Sequence, residues 1–193
     1  MGADPAARKS ALILIGPSGA GKSEIGRRLA EALGRPLVDT DALVEKRHGR
    51  SVSRIFAEET ESGFRVKESE AVVEATAVEG AVIACGGGVV LDPENVERLR
   101  AAGEVVYLKA SPEVAAERLG DGADRPLLEG TELGEQIAKL IEQRHGLYVN
   151  AADHVVDADG RPEDVVDKLA KIWDSVSGPR VAFSLKSEPE EEP

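Results

Sequence analysis

Apolar positions along the chain fall into two patterns. Some form short unbroken runs, which read as buried strands. Others recur every three or four residues, which reads as amphipathic helices. Ala11–Ile15 is an unbroken run, and Ile25, Leu29, Ala30 and Leu33 follow at helical spacing. A short second strand is predicted at 36–38, then helical stretches at 42–47, 52–58 and 61–79. A third strand at 81–85 ends in Gly86-Gly87-Gly88. A helix at 93–101 has a proline in its first turn and Gly103 beyond its end. A fourth strand at 105–108, helices at 112–119 and 133–148, a fifth strand at 154–156 and a helix at 162–176 complete the pattern. Strands alternating with helices predict an α/β fold with a parallel sheet. Residues 1–9 and 178–193 lack periodicity and read as disordered ends, the second one acidic, around a domain at 10–177.

The junction between the first strand and first helix carries the strongest chemical signal. Gly16-Pro17-Ser18-Gly19-Ala20-Gly21-Lys22-Ser23 has the form G-x-x-x-x-G-K-[ST]. Glycines at these positions let successive N–H groups curl into an anion-binding nest, and the helix N-terminus adds partial positive charge. Lys22 would reach the β- and γ-phosphates of a nucleoside triphosphate, and the Ser23 hydroxyl would ligate Mg²⁺. An accidental glycine cluster would not carry a strand before it and a helix after it.

Composition narrows the function classes. Hydrophobic residues make up 41% of the 193 residues but aromatics only 3%, so the core must be aliphatic. The net charge of −12 argues against nucleic acid as a partner, and no apolar stretch is long enough to span a bilayer. A single cysteine, Cys85, excludes an internal disulfide and suits a reducing cytoplasmic setting; it reads as a small buried hydrophobe. An acidic protein that binds ATP must gather its cations locally, so basic residues should recur where phosphates sit.

Several further residues are placed where ligands bind in an open parallel sheet, at the carboxyl ends of strands. Asp39 and Asp41 end the second strand and, by strand alternation, point the same way. One would support Mg²⁺ and the other would orient a substrate hydroxyl and accept its proton. The plainer role is Asp41 as N-cap of the next helix. Arg65 and Glu68 lie three apart on one helix and can pair, either as a surface ion pair or as a fixed cation for a substrate carboxylate. The triple glycine suggests a close backbone approach to a ligand. Arg125 lies in a glycine-rich loop at 120–130, read as a mobile lid, from which it would reach the transferring phosphoryl group; Arg118 would stack on adenine. His48, His145 and His154 show no metal-ligand spacing.

Together these pieces resemble the shikimate kinase family. The resemblance spans about residues 12–169 and rests on the phosphate loop, Asp39-x-Asp41, Phe64-Arg65-x-x-Glu68, the triple glycine, Arg125-Pro126-Leu127-Leu128 and Arg144 with Leu147-Tyr148. It implies an ATP:shikimate 3-phosphotransferase of the chorismate and aromatic amino-acid pathway. It also implies a nucleoside-monophosphate-kinase-like fold, with a five-stranded parallel sheet in order 2-3-1-4-5. Under it, Arg65, Arg144 and the backbone of Gly86, Gly87 and Gly88 would bind the shikimate carboxylate. Asp41 would be the base, and Asp39 would support Mg²⁺ with Ser23. Gly19, Ala20, Gly21, Lys22, Ser23, Glu24, Arg118, Arg125 and Arg161 would surround the nucleotide, with Lys22, Asp41 and Arg125 catalytic. Glu68 would position Arg65, and Phe56 and Phe64 would wall the substrate pocket. A monomer without nucleic-acid or membrane partners is expected.

The chain departs from the family pattern at Glu24, Thr60 and Gly146. Glu24 would repel a phosphate if it turned inward. The competing readings are a gluconate or nucleoside monophosphate kinase, or a non-catalytic nucleotide-binding module.

Overall fold

A computed structural model of the 193-residue chain describes residues 11–120 and 133–177. Strand β1, Ala11–Ile15, leads into α1, Lys22–Leu33, followed by β2, Leu37–Asp39, and α2, Thr40–His48. Helix α3, Val52–Thr76, precedes β3, Val82–Ala84. A single 3-10 turn, Val89–Leu91, then leads to α4, Pro93–Ala102, and β4, Gly103–Lys109. Helices α5, Pro112–Leu119, and α6, Leu133–Ala151, precede β5, His154–Asp157, and α7, Pro162–Ser177. The five strands form one parallel sheet in the order β2-β3-β1-β4-β5. The expected disordered ends and nearly all of the expected lid, Arg125 included, lie outside the described residues.

Strand alternation builds the core on both sheet faces. Leu12, Leu14, Val106 and Leu108 pack with Ile25 and Leu29 of α1 and Val165, Leu169 and Trp173 of α7. Ile13, Ile15, Ile83, Val105 and Tyr107 face the other way, onto Val72 of α3, Leu99 of α4 and Tyr148 of α6. Burial on both faces explains why β1 reads as an unbroken apolar run rather than an alternating one.

One feature differs from the sequence reading. The stretches predicted as separate helices at 52–58 and 61–79 are two arms of α3, joined across Thr60, whose backbone sits at φ 68°, ψ 169°. Glu59 ties the arms together: it accepts from Lys67 on the second arm and from Arg50 just before the first. Gly103 ends α4 as expected, its N–H donating to the Leu99 carbonyl, and at the same time opens β4 with extended backbone at φ −171°. Its Cα packs against the backbone of Ala11 on the neighbouring strand, leaving no room for a side chain.

Candidate active site

The phosphate loop links the carboxyl end of β1 to α1. Gly19 and Gly21 adopt φ +83° and +84°, in the left-handed region that favours glycine. A Cβ on Gly19 would run into the backbone of Ala115, so α5 packs directly on the loop. The Lys22 ammonium donates to the Gly16 carbonyl at 2.9 Å and the Pro17 carbonyl at 2.8 Å, within the loop's concavity. One cleft is lined by Gly19, Gly21, Lys22, Ser23, Glu24, Asp39, Asp41, Arg118 and Pro162. Ala20 is buried beneath it. Among the described residues, Lys22 and Arg118 are the cations on this cleft, as local concentration of charge requires.

Asp39 and Asp41 divide their roles in the reverse of the plainer expectation. Asp39, not Asp41, is the N-cap of α2: its Oδ1 accepts from the N–H groups of Asp41 at 3.0 Å and Ala42 at 3.2 Å. Its Oδ2 accepts from the Ser23 hydroxyl at 2.6 Å. The chain turns from strand to helix between the two acids, so strand alternation does not govern their directions. Asp41 sits in the first turn of α2 and lines both the nucleotide-side cleft and a second cavity.

The second cavity lies between α3, α6 and the triple glycine. One side is polar, with Asp41, Arg65, Glu68, Arg144 and Tyr148; the other is apolar, with Val52, Phe56, Phe64, Ile137 and Ile141. The Phe56 and Phe64 rings meet at 4.4 Å, and the Arg65 guanidinium lies over the Phe64 ring at 5.5 Å. Arg65 donates to Glu68 at 2.6 Å and to Glu61 at 2.8 Å. The Glu68 side chain is 1% exposed. Burial pushes its carboxyl pKa up, against the pull of Arg65 and with help from the nearby Asp41 charge. Its Oε1 is buried without a hydrogen-bond partner among the described residues.

Each glycine of the triplet answers to a different neighbour. A Cβ on Gly86 would sit 2.6 Å from Asp41 Oδ1 and 2.8 Å from Glu68 Oε1. On Gly87 it would meet Ser18 Oγ at 3.2 Å, and on Gly88 it would overlap the Arg65 guanidinium. The triplet is therefore the surface on which the two acids, the phosphate loop and the arginine converge. The sequence reading missed Thr40, a fully buried residue whose hydroxyl accepts from the Gly86 N–H at 3.0 Å and pins the start of α2 to this turn. It also missed Ser18, which lines both cavities, and the α6 wall. The small polar residue between two acids was a signal for Thr40; nothing local marked Ile137 or Ile141.

Three expectations need qualification. Glu24 does line the nucleotide-side cleft, but its carboxylate is held by Arg27 at 3.0 Å and Arg28 at 2.6 Å. Hydrogen bonds from these two arginines hold its pKa below the usual carboxylate value. Arg161 was expected near adenine. Its exposed guanidinium instead pairs with Asp164 at 3.0 Å, and the neighbouring Pro162 reaches the cleft. Arg118 ties to the Ala158 carbonyl at 2.8 Å and the Gly160 carbonyl at 3.3 Å, which anchors it to the loop before α7. Cys85 is buried, and burial raises its thiol pKa well above the ordinary range. His145 and His154 engage Tyr107 and Glu104. Among the described residues, no cluster of three or more His, Cys, Asp or Glu could hold a metal, and no helix is long and apolar enough to cross a membrane.

A phosphate loop after the first strand of a 2-3-1-4-5 parallel sheet, with a separate acceptor cavity beside it, defines a P-loop kinase acting on a small molecule. The sequence profile of the shikimate kinase family matches residues 18–173. A shikimate kinase of Symbiobacterium thermophilum is 46% identical over 161 residues, covering 82% of this chain and 92% of that protein. The structure of a shikimate kinase from Acinetobacter baumannii in complex with shikimate aligns with a TM-score of 0.83 at 34% identity, over 86% of this chain and 93% of that one. A gluconokinase from Sinorhizobium meliloti reaches a TM-score of 0.56 at 20% identity, over 88% of this chain and 96% of that one, and shares the fold alone. The chain belongs to the shikimate kinase family, and its activity is the ATP-dependent phosphorylation of shikimate.

Proposed function

We propose that the two cavities hold the two substrates and that phosphoryl transfer occurs where they meet. The observation that carries this is the set of residues common to both linings: Ser18, Asp41 and Gly87. Arg65 and Arg144 bind the shikimate carboxylate at the far end of the acceptor cavity. The apolar wall of Phe56, Phe64 and Ile137 takes the ring. The orphaned Glu68 Oε1 suits a hydroxyl-bearing ligand. The 3-hydroxyl is then directed at Asp41.

As the hydroxyl oxygen attacks the γ-phosphorus, its proton passes to Asp41 and the bond from phosphorus to the ADP oxygen breaks, releasing ADP. Lys22 neutralises the charge on the phosphoryl oxygens, and Arg125 adds to this. The hard-oxygen pair of Ser23 and Asp39 suits Mg²⁺; these two residues would hold the ion, which would supply charge neutralisation at the nucleotide phosphates. The chain works as a monomer, without nucleic-acid or membrane partners.

Coupled detection of ADP release against shikimate, gluconate and AMP tests the reading. Mg·ATP with shikimate should turn over and yield the 3-phosphate. No turnover with shikimate, or faster turnover with gluconate or AMP, would overturn it.

A further inference from the structure

Arg144 shares its helix face with Tyr148, one turn further along α6. Tyr148 is fully buried and lines the acceptor cavity. Its hydroxyl donates to the Gly87 carbonyl, the same oxygen that Arg144 Nη1 reaches at 3.4 Å. The tyrosine bond is the short one, and the arginine contact sits at the edge of hydrogen-bonding range. The Tyr148 ring stacks on Tyr107 of β4 at 5.0 Å and 23°. The Tyr107 hydroxyl lies 3.3 Å from His145 Nδ1, also on α6, so the ring is clamped between strand and helix. Burial pushes the Tyr148 phenol up to about 12, which keeps it a neutral donor throughout the working pH range.

We propose that Tyr148 is a positioning residue for shikimate binding: it satisfies the Gly87 carbonyl and thereby frees the Arg144 guanidinium for the substrate carboxylate. The Gly87 carbonyl is part-buried, and a carbonyl so placed, deprived of its donor, draws in the nearest one available. Without the Tyr148 hydroxyl that donor is Arg144, which would close on Gly87 and compete with the substrate. The same hydroxyl fixes the triple-glycine turn against α6. The inference rests on the proposed carboxylate role of Arg144.

The test is Tyr148→Phe, which keeps the stacked ring. The KM for shikimate should rise about five- to tenfold, the size of one neutral hydrogen bond. The KM for ATP and kcat should stay within about twofold. Hydrogen exchange at the amides of residues 86–88 should accelerate. Tyr107→Phe removes a hydroxyl from the same ring stack without touching Gly87, and should leave the shikimate KM unchanged. In the unsubstituted protein, the Tyr148 hydroxyl proton should give a slowly exchanging NMR resonance.

A shikimate KM unmoved by Tyr148→Phe, or moved equally by Tyr107→Phe, overturns the proposal. So does absence of the slow hydroxyl resonance, even if Tyr148→Phe fails to fold. Failure of the unsubstituted protein to phosphorylate shikimate would instead refute the functional reading, and leaves the exchange measurements to decide whether the tether exists.

Discussion

Thr60 holds a backbone conformation that is almost exclusively glycine's, with φ 68° and ψ 169°. A residue with a Cβ in that region carries about 1–3 kcal/mol of strain, tolerated only where the surroundings over-determine it. Here the ion pair of Glu59 with Lys67 holds the arms of α3 together across the kink, and Arg50 fixes Glu59 from just before the first arm. Replacing Thr60 by glycine removes the strain. The side chain is exposed, so little packing is lost, and its one recorded bond is an exposed contact with Ser62 Oγ at 3.0 Å. Against the gain stands the greater freedom of glycine in the unfolded chain, about 0.4–1 kcal/mol. The balance favours Thr60→Gly by roughly 1 kcal/mol, a rise in Tm of about 2–4 °C for a domain of this size. Thr60→Ala keeps the Cβ and should not gain. Calorimetry on the three proteins decides: a Tm for Thr60→Gly at or below the parent's, or an equal gain from Thr60→Ala, would refute the reasoning. The arms carry Val52 and Phe56 on one side of the kink and Phe64, Arg65 and Glu68 on the other.

Three further outcomes follow from the site. Gly88→Ala drives a methyl into the Arg65 guanidinium and should raise the shikimate KM by at least about tenfold, with the KM for ATP little changed; steady-state kinetics with each substrate varied will show whether the loss is one-sided. Asp41→Asn should lower kcat by about 10²–10⁴ if Asp41 accepts the hydroxyl proton, and single-turnover rates near the parent's would remove it from that role. Glu68 bears on stability against pH. Its pKa is raised in the fold, chiefly by burial, so its contribution is fully present below the ordinary carboxylate pKa and is lost as pH rises through the raised value. Glu68→Gln should lack that part of the slope, and its stability relative to the parent should improve from pH 4.5 upward; parallel denaturation curves for the two proteins across that window would contradict this.

The sequence was legible where chemistry and local geometry coincide. The unbroken apolar run of β1, the loop glycines and Lys22 lie within one strand–turn–helix unit, so spacing alone placed them. Arg65 and Glu68 were readable as a helical pair, but nothing local showed that Glu68 is buried; that follows from the triple glycine packing on α3 from a distant strand. The helix cap fell on Asp39 rather than Asp41 because α2 begins at Thr40, two residues before its apolar pattern, directly after β2 ends at Asp39. Arg161 was placed by resemblance, yet the nearby Asp164 captures its guanidinium on an exposed helix turn. Thr40, Ser18 and the α6 wall escaped notice because their significance lies in contacts between elements far apart in the chain. Tyr148 entered the sequence reading only as part of the resemblance around Arg144, and its packing between β4 and the glycine turn was hidden for the same reason.

The account stands on the convergence of Asp41, Arg65 and Arg144 on one cavity that adjoins the nucleotide cleft. A crystal soaked with shikimate and ADP tests it most directly. The account predicts density in the acceptor cavity, with the carboxylate between Arg65 and Arg144 and a ring hydroxyl on Asp41, facing the phosphate loop. Shikimate bound elsewhere, or bound with its carboxylate turned toward Lys22, would contradict it.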